Sequence, residues 1–294
     1  MRVARPLLGL AGLTVLAGCS LLPSDAAPTV TAVATVTATP GAEPAPTVTV
    51  FQAPPEDDAY ARPLWLGTQP LELREDGLGV AADTPEELED RQLEPRAWLP
   101  DPEGQEWFAR IEMDVPEDVA ARSSWDPNCP VHIDDLAYIQ MPYWGFDGQV
   151  HTGEMIAHDD HIEEVATAFE RIFAAQFPIE EMRVISTAER DAPTTGDHNI
   201  TSAFTCRLVV GAATVWSQHA YGMAVDINPF HNPYIKGEEL FPELSEAYLD
   251  RDWVRDGMID DASVVYQAFT DLGWGWGGSW TGREDWMHFS VTGG

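Results

Sequence analysis

Residues 217–226 read Ser217-Gln218-His219-Ala220-Tyr221-Gly222-Met223-Ala224-Val225-Asp226, and nearer the C-terminus the chain reads Asp285-Trp286-Met287-His288. A catalytic zinc takes three nitrogen or oxygen ligands from the protein and keeps one position open. His219, Asp226 and His288 offer two imidazoles and one carboxylate. His219 and Asp226 are seven residues apart with Gly222 between them, so the chain can turn and bring both to one point. His288 arrives on a separate strand-like run, Trp286–Val291. Asp285, three residues earlier, is a carboxylate not needed for ligation, of the kind that serves a hydrolase as general base and then acid. Spacing alone is weak evidence, because His-x6-Asp arises by chance. Most of the eight histidines read as solvated side chains.

The surrounding residues are more specific. Ser-x-His-x-x-Gly-x-Ala-x-Asp followed by Asp-x-x-His resembles the zinc peptidase family of D-alanyl-D-alanine carboxypeptidases and L-alanyl-D-glutamate endopeptidases, the VanY-like group. The likeness runs through Val225-Asp226-Ile227-Asn228-Pro229, Asn232-Pro233-Tyr234, Gly273-Trp274-Gly275-Trp276-Gly277-Gly278 with Trp280, and Met287-His288-Phe289. Upstream it takes in Asp134-Asp135-Leu136, Gly145-Phe146-Asp147-Gly148, His151-Thr152-Gly153-Glu154, Phe177-Pro178-Ile179 and Asn199-x-Thr201-x-Ala203-Phe204-x-Cys206-Arg207. It spans about residues 125–291.

The resemblance implies an α+β fold with a small, mostly antiparallel sheet and flanking helices. It implies zinc on His219, Asp226 and His288, and Asp285 as the catalytic acid–base. It also implies Arg207 as a contact to substrate or oxyanion and Ser217 near the substrate backbone. Glu284 competes with Asp285, because strict strand alternation puts Glu284 on the face of His288. The family pattern favours Asp285 and requires the chain to turn there. The implied reaction is amide hydrolysis in peptidoglycan stem peptides, with D-Ala-D-Ala carboxypeptidase first and L-Ala-D-Glu or another wall endopeptidase as alternative. A non-catalytic zinc-containing wall-binding module is the rival class. The donor set suits zinc best, with manganese or cobalt as competitors.

Other residues carry two readings. His231 is a further ligand or a solvated loop histidine. Trp274, Trp276 and Trp280 stack on substrate or pack beneath the site. Asp197, His198 and Asn199 border the cleft or cap a loop, and Tyr221 faces substrate or core.

Composition bounds the partners. The 294 residues carry 49 acids against 16 bases, a formal charge of −33. Nucleic-acid binding is excluded on that balance, since such surfaces must be basic. Hydrophobic residues make up 44%, enough for a real core. At the N-terminus Arg2 and Arg5 precede an apolar run, Leu7–Leu16, too short to span a bilayer. It ends in Leu16-Ala17-Gly18-Cys19, which resembles a bacterial lipobox. Residues 1–18 are therefore expected to be a signal peptide, with Cys19 lipidated and the protein exported and held on the outer face of the cell membrane. A monomer is expected.

Residues 19–55, rich in Thr, Pro and Ala, read as a tether spanning roughly 35 Å on average as coil. Residues 56–106 form an acidic stem with 15 acids and 4 arginines. Its short apolar islands, such as Leu64-Trp65-Leu66, suggest docking on the catalytic domain, 107–294. Thr84-Pro85-Glu86-Glu87 reads as a capping box. Cys129 and Cys206 form an even pair in an exported chain and are expected to be bridged.

Within the domain, helical spacing of Ile162, Val165, Phe169, Ile172 and Phe173 predicts a helix capped by Asp159 or Asp160 and stopped by Pro178. Ser263–Leu272 is a second helix, with Gly273 after it. Strand-like runs are Met182–Ile185, Leu208–Val210, Met223–Ile227 and Trp286–Val291.

Overall fold

The longest strands are ones that the sequence patterning hides. In the computed structural model, which describes residues 60–96 and 98–294, the elements in chain order begin with α1 (Glu86–Glu89), β1 (Arg110–Glu112) and α2 (Glu117–Arg122). Then come β2 (Leu136–Trp144) and β3 (Val150–His158), an antiparallel hairpin in register from Leu136↔His158 to Trp144↔Val150. Gly148, at φ +70°, supplies the left-handed position in the connecting turn. β1 pairs with the outer edge of β2. Ala137, Ile139, Met141 and Met155 face the main core, while Leu136, Tyr138 and Ile156 face a second cluster with Val184, Phe204 and Cys206. Because both faces are covered, the run Leu136-Ala137-Tyr138-Ile139 shows no polar alternation.

Helix α3 (Ile162–Ala174) lies on the main-core face and buries Ile162, Val165, Phe169, Ile172 and Phe173, the predicted stripe. Its start differs from expectation. Asp159 and Asp160 form a 3-10 turn, and His158 Nδ1 accepts from the Asp160 amide at 3.2 Å. The helix ends four residues before Pro178, and Gln176 takes φ +55°.

The chain continues through β4 (Glu181–Met182), α4 (Thr187–Arg190) and β5 (Ile200–Thr201). β4 and β5 pair in parallel. After β6 (Ala224–Asp226) come β7 (Tyr234–Lys236), β8 (Glu239–Phe241) and α5 (Val264–Thr270), then β9 (Gly275–Trp276), β10 (Glu284–Asp285) and β11 (His288–Ser290). Ser263 caps α5 by accepting from the Tyr266 amide at 3.2 Å. Two small sheets, β6-β11-β9 and β10-β7-β8, are wholly antiparallel. The architecture is α+β. Leu208–Val210 is not a regular strand: Leu208 bridges Trp216 at the base of a hairpin whose Val209, Val210 and Val215 are exposed.

Cys129 and Cys206 are joined by a disulfide with Cα atoms 5.8 Å apart. The acidic stem packs onto the body. Leu66, Leu88 and Leu93 share a cluster with Phe230, Tyr248 and Met258. Arg91 is fully buried, forks onto Glu180 at 2.7 and 2.8 Å, and donates to the Asp197 carbonyl at 2.8 Å. Arg62 reaches Glu180 at 2.9 Å and Glu181 at 2.8 Å. The expected capping box at Thr84 does not form. Its hydroxyl donates instead to the Leu244 carbonyl at 2.7 Å and accepts from the Ala247 amide at 2.9 Å.

The signal segment, Cys19, the tether and residues 56–59 lie outside the described residues. Among the described residues no helix is long and apolar enough to cross a membrane.

Candidate metal centre and active site

Three peptide segments converge beside the end of β3. The Gly222 carbonyl accepts from the His158 amide at 2.9 Å, and the Phe204 amide donates to the Ile156 carbonyl at 3.0 Å. Residues 217–222 form a tight 3-10 turn that Ser217 caps, its Oγ accepting from the His219 amide at 3.3 Å. Gly222 closes the turn at φ +69°, and a Cβ there would lie 2.5 Å from the His158 amide nitrogen. The turn therefore needs glycine both for its dihedral and for its space. The chain then enters β6, which ends on Asp226. β11 pairs antiparallel with β6 and sets His288 directly opposite Asp226.

These constraints bring the three side chains together. His219 Nε2 lies 3.1 Å from Asp226 Oδ2, His288 Nδ1 lies 3.1 Å from Asp226 Oδ1, and the two imidazole nitrogens are 3.2 Å apart. His219 Nδ1 lies 2.6 Å from the Ala203 carbonyl, which assigns the proton to Nδ1 and a lone pair to Nε2. That lone pair faces a carboxylate oxygen, an arrangement that repels unless a cation sits between them. The donor set, two nitrogens and one oxygen with both imidazoles buried, fits a divalent metal of borderline softness. Burial by itself would raise the Asp226 acid; positive charge at His219 and His288 outweighs it, so a cation held between them would keep the carboxylate ionised.

Asp285 stands next to this trio. Its carboxyl Oδ1 is sealed from solvent with no hydrogen-bond partner. Burial pushes its acid up from the usual carboxylate range; His288 pulls against that, Asp226 adds to it, and Arg207 and Arg283 pull it down. Gly277 allows the approach: a Cβ there would lie 2.6 Å from the Asp285 carbonyl oxygen. β10 and β11 belong to different sheets, so the chain turns at Trp286–Met287, and strict alternation between Glu284 and His288 is broken. Arg207 is half-buried, and its Nη1 donates to the Leu208 carbonyl at 3.3 Å.

Several expectations change. His231 is neither ligand nor solvated. It is fully buried; Nε2 donates to the Arg91 carbonyl at 2.8 Å, Nδ1 faces Asn199 Nδ2 at 3.1 Å, and the ring stacks on Phe146. Asp197 caps a loop, accepting from the Gly67 amide at 2.7 Å, and Asn199 serves Glu180 rather than the cleft. Trp274 and Trp276 are buried, bonded to Glu164 and to the Trp286 carbonyl. Only Trp280 of that cluster stays half-exposed, its ring 5.4 Å from that of His288. Tyr221 packs against the second apolar cluster. Arg283, over the Trp280 ring at 4.3 Å, was not singled out in the sequence; its place two residues before Asp285 was the available signal.

Residues 210–291 match the family model of the D-alanyl-D-alanine carboxypeptidases. The match holds Ser217, His219, Asp226, Asp285 and His288, and stops short of Arg207 and Cys206. It marks the chain as a metallopeptidase-like hydrolase. Neither the curated proteins nor the solved structures include a match.

Proposed function

We propose that this protein is a zinc-dependent peptidase that hydrolyses an amide bond in peptidoglycan stem peptides, foremost the D-Ala-D-Ala bond of a carboxypeptidase substrate. The observation that carries the reading is the convergence of His219, Asp226 and His288, with Asp285, one of its carboxyl oxygens buried and unpartnered, alongside. His219, Asp226 and His288 would hold the ion. When bound, zinc supplies Lewis acidity, polarising a carbonyl and making water acidic near neutral pH.

The chain's own residues do the rest. Ala203, through its carbonyl, fixes the His219 ring by accepting from Nδ1. Asp285, as carboxylate, takes the proton of the attacking water and returns it to the leaving amine nitrogen. Arg207 places positive charge where the carbonyl oxygen becomes an oxyanion, a kind of contact worth about 3 kcal/mol. Ser217 holds the ligand turn in shape.

By the sequence reading, the chain is exported and anchored outside the cell membrane through lipid on Cys19. A Cys19→Ala variant should lose labelled-lipid incorporation and leave the membrane fraction.

Digestion of purified wall stems with mass analysis of the products tests the reaction. Loss of one alanine is expected, whereas cleavage between L-Ala and D-Glu would make the enzyme an endopeptidase. Asp285→Ala should keep zinc, by metal analysis, and lose at least about 100-fold in turnover. Unchanged turnover would remove Asp285 from the chemistry, and loss of the metal would move it into the ligand set.

A further inference from the structure

In a chain with 49 acids and 16 bases, an arginine without an acid is conspicuous. Among the described residues, most arginines stand at ion-pair distance from a carboxylate. Arg251 and Arg255 donate to backbone carbonyls, and Arg110, at the start of β1, lies over Phe108. The remaining two are Arg207 and Arg283, and Arg283 stands two residues before Asp285 in the chain. Arg207 belongs to the family pattern. Arg283 does not.

Arg283 is held in a specific way. Its guanidinium carbon lies 4.3 Å from the centre of the Trp280 ring. That ring is fixed by its Nε1, which donates to the Gly293 carbonyl at 2.9 Å, and by the Trp280 amide, which donates to Gly277 at 3.1 Å. The ring then sits 5.4 Å from that of His288. The guanidinium lies over the indole, the indole is tilted 54° to the His288 imidazole, and among the described residues no protein acceptor takes the guanidinium's donors. A planar cation stacked on an aromatic keeps its hydrogen-bonding edge free for a carboxylate.

We propose that Arg283 is a substrate-binding residue that grips a carboxylate of the wall peptide on the Trp280–His288 side of the site. This rests on the peptidase reading above. A stem peptide offers two such groups, the terminal carboxylate and the free α-carboxylate of its glutamate. Either would make a forked pair with Arg283, and a protein of charge −33 needs such a local cation to hold an anionic substrate. Trp280 is then the platform for Arg283 and not a sugar-stacking face.

The test is calorimetric and needs no turnover. Metal-loaded protein carrying Asp285→Asn is titrated with an acetylated pentapeptide stem. Two further arms use the same peptide amidated at its terminal carboxyl or at its glutamate α-carboxyl. Adding Arg283→Gln should weaken the free-acid peptide about tenfold. One amidated peptide should bind weakly to the parent already and lose nothing more, which names the carboxylate gripped. Arg283→Lys, which keeps the charge without the fork, should fall between. Equal weakening of all three peptides, or no weakening, overturns the proposal. So does a parent that binds no peptide, which overturns the peptidase reading as well. If the binding pattern holds but protein with Asp285 intact cleaves no stem, only the peptidase reading fails.

Discussion

His231 illustrates what a single side chain does when the chain closes over it. With Nε2–H given to the Arg91 carbonyl and Nδ1 accepting from Asn199, the neutral ring has both nitrogens satisfied. A second proton on Nδ1 would face the Asn199 amide hydrogens. Burial, the dominant influence, lowers the His231 acid from 6.5 to about 4. The unfolded chain binds that proton at higher pH than the folded one, so stability is full above pH 6.5 and falls as pH drops toward 4. Melting temperatures measured across that window should decline for the native protein and be flatter in His231→Gln; equal slopes would show that other groups dominate. The histidine was readable in the sequence as something near the ligands, but its burial was not, because the segment that covers it comes from residues far upstream. His219, Asp226 and His288 were legible because a tight glycine turn and one strand pairing are enough to bring them together.

At the scale of elements, the turn that carries His219 depends on one position. Gly222→Ala would force a left-handed dihedral on alanine and drive its Cβ into the backbone of His158 and Ala157. A loss of at least about 2 kcal/mol is expected in denaturant unfolding, with weakened metal retention because His219 and Asp226 flank the turn. A variant that melts like the native protein and keeps its metal would show that β3 can yield. Helices α3 and α5 were visible because each buries one stripe. The β2–β3 hairpin was not, since apolar residues line both of its faces and Pro142 interrupts the run. Strand β11 proved shorter than the run Trp286–Val291, because the turn at Trp286–Met287 is what swings Asp285 into the site.

On the scale of the whole molecule, the acidic stem is part of the body and not an appendage. Arg91 and Glu180 are both fully buried, and Arg62 completes the group. Burial alone would raise the Glu180 acid, but Arg91 and Arg62 outweigh it and bring it down to about 2. Arg91→Met would leave Glu180 with half its compensation and should cost about 3–5 kcal/mol of unfolding free energy. A cost below about 1 kcal/mol would mean that Arg62 alone suffices. A chain begun at residue 107 would bare Phe230, Tyr248 and Met258 and should aggregate rather than fold. The apolar islands of the stem pointed to docking, but its acid-rich composition gave no sign that Arg62 and Arg91 would find buried partners.

That arrangement also has a mechanical meaning. Tyr60 and Arg62 run beside Glu94, with the Glu94 amide bonded to the Tyr60 carbonyl at 2.8 Å and Arg62 bonded to the Glu94 carbonyl at 3.0 Å. Arg62 is at the same time clamped to Glu180 and Glu181. The first described residues are therefore fastened to the body by an ionic clasp as well as by backbone hydrogen bonds. Were the chain anchored through Cys19 as proposed, tension on that anchor would reach the folded body at this clasp.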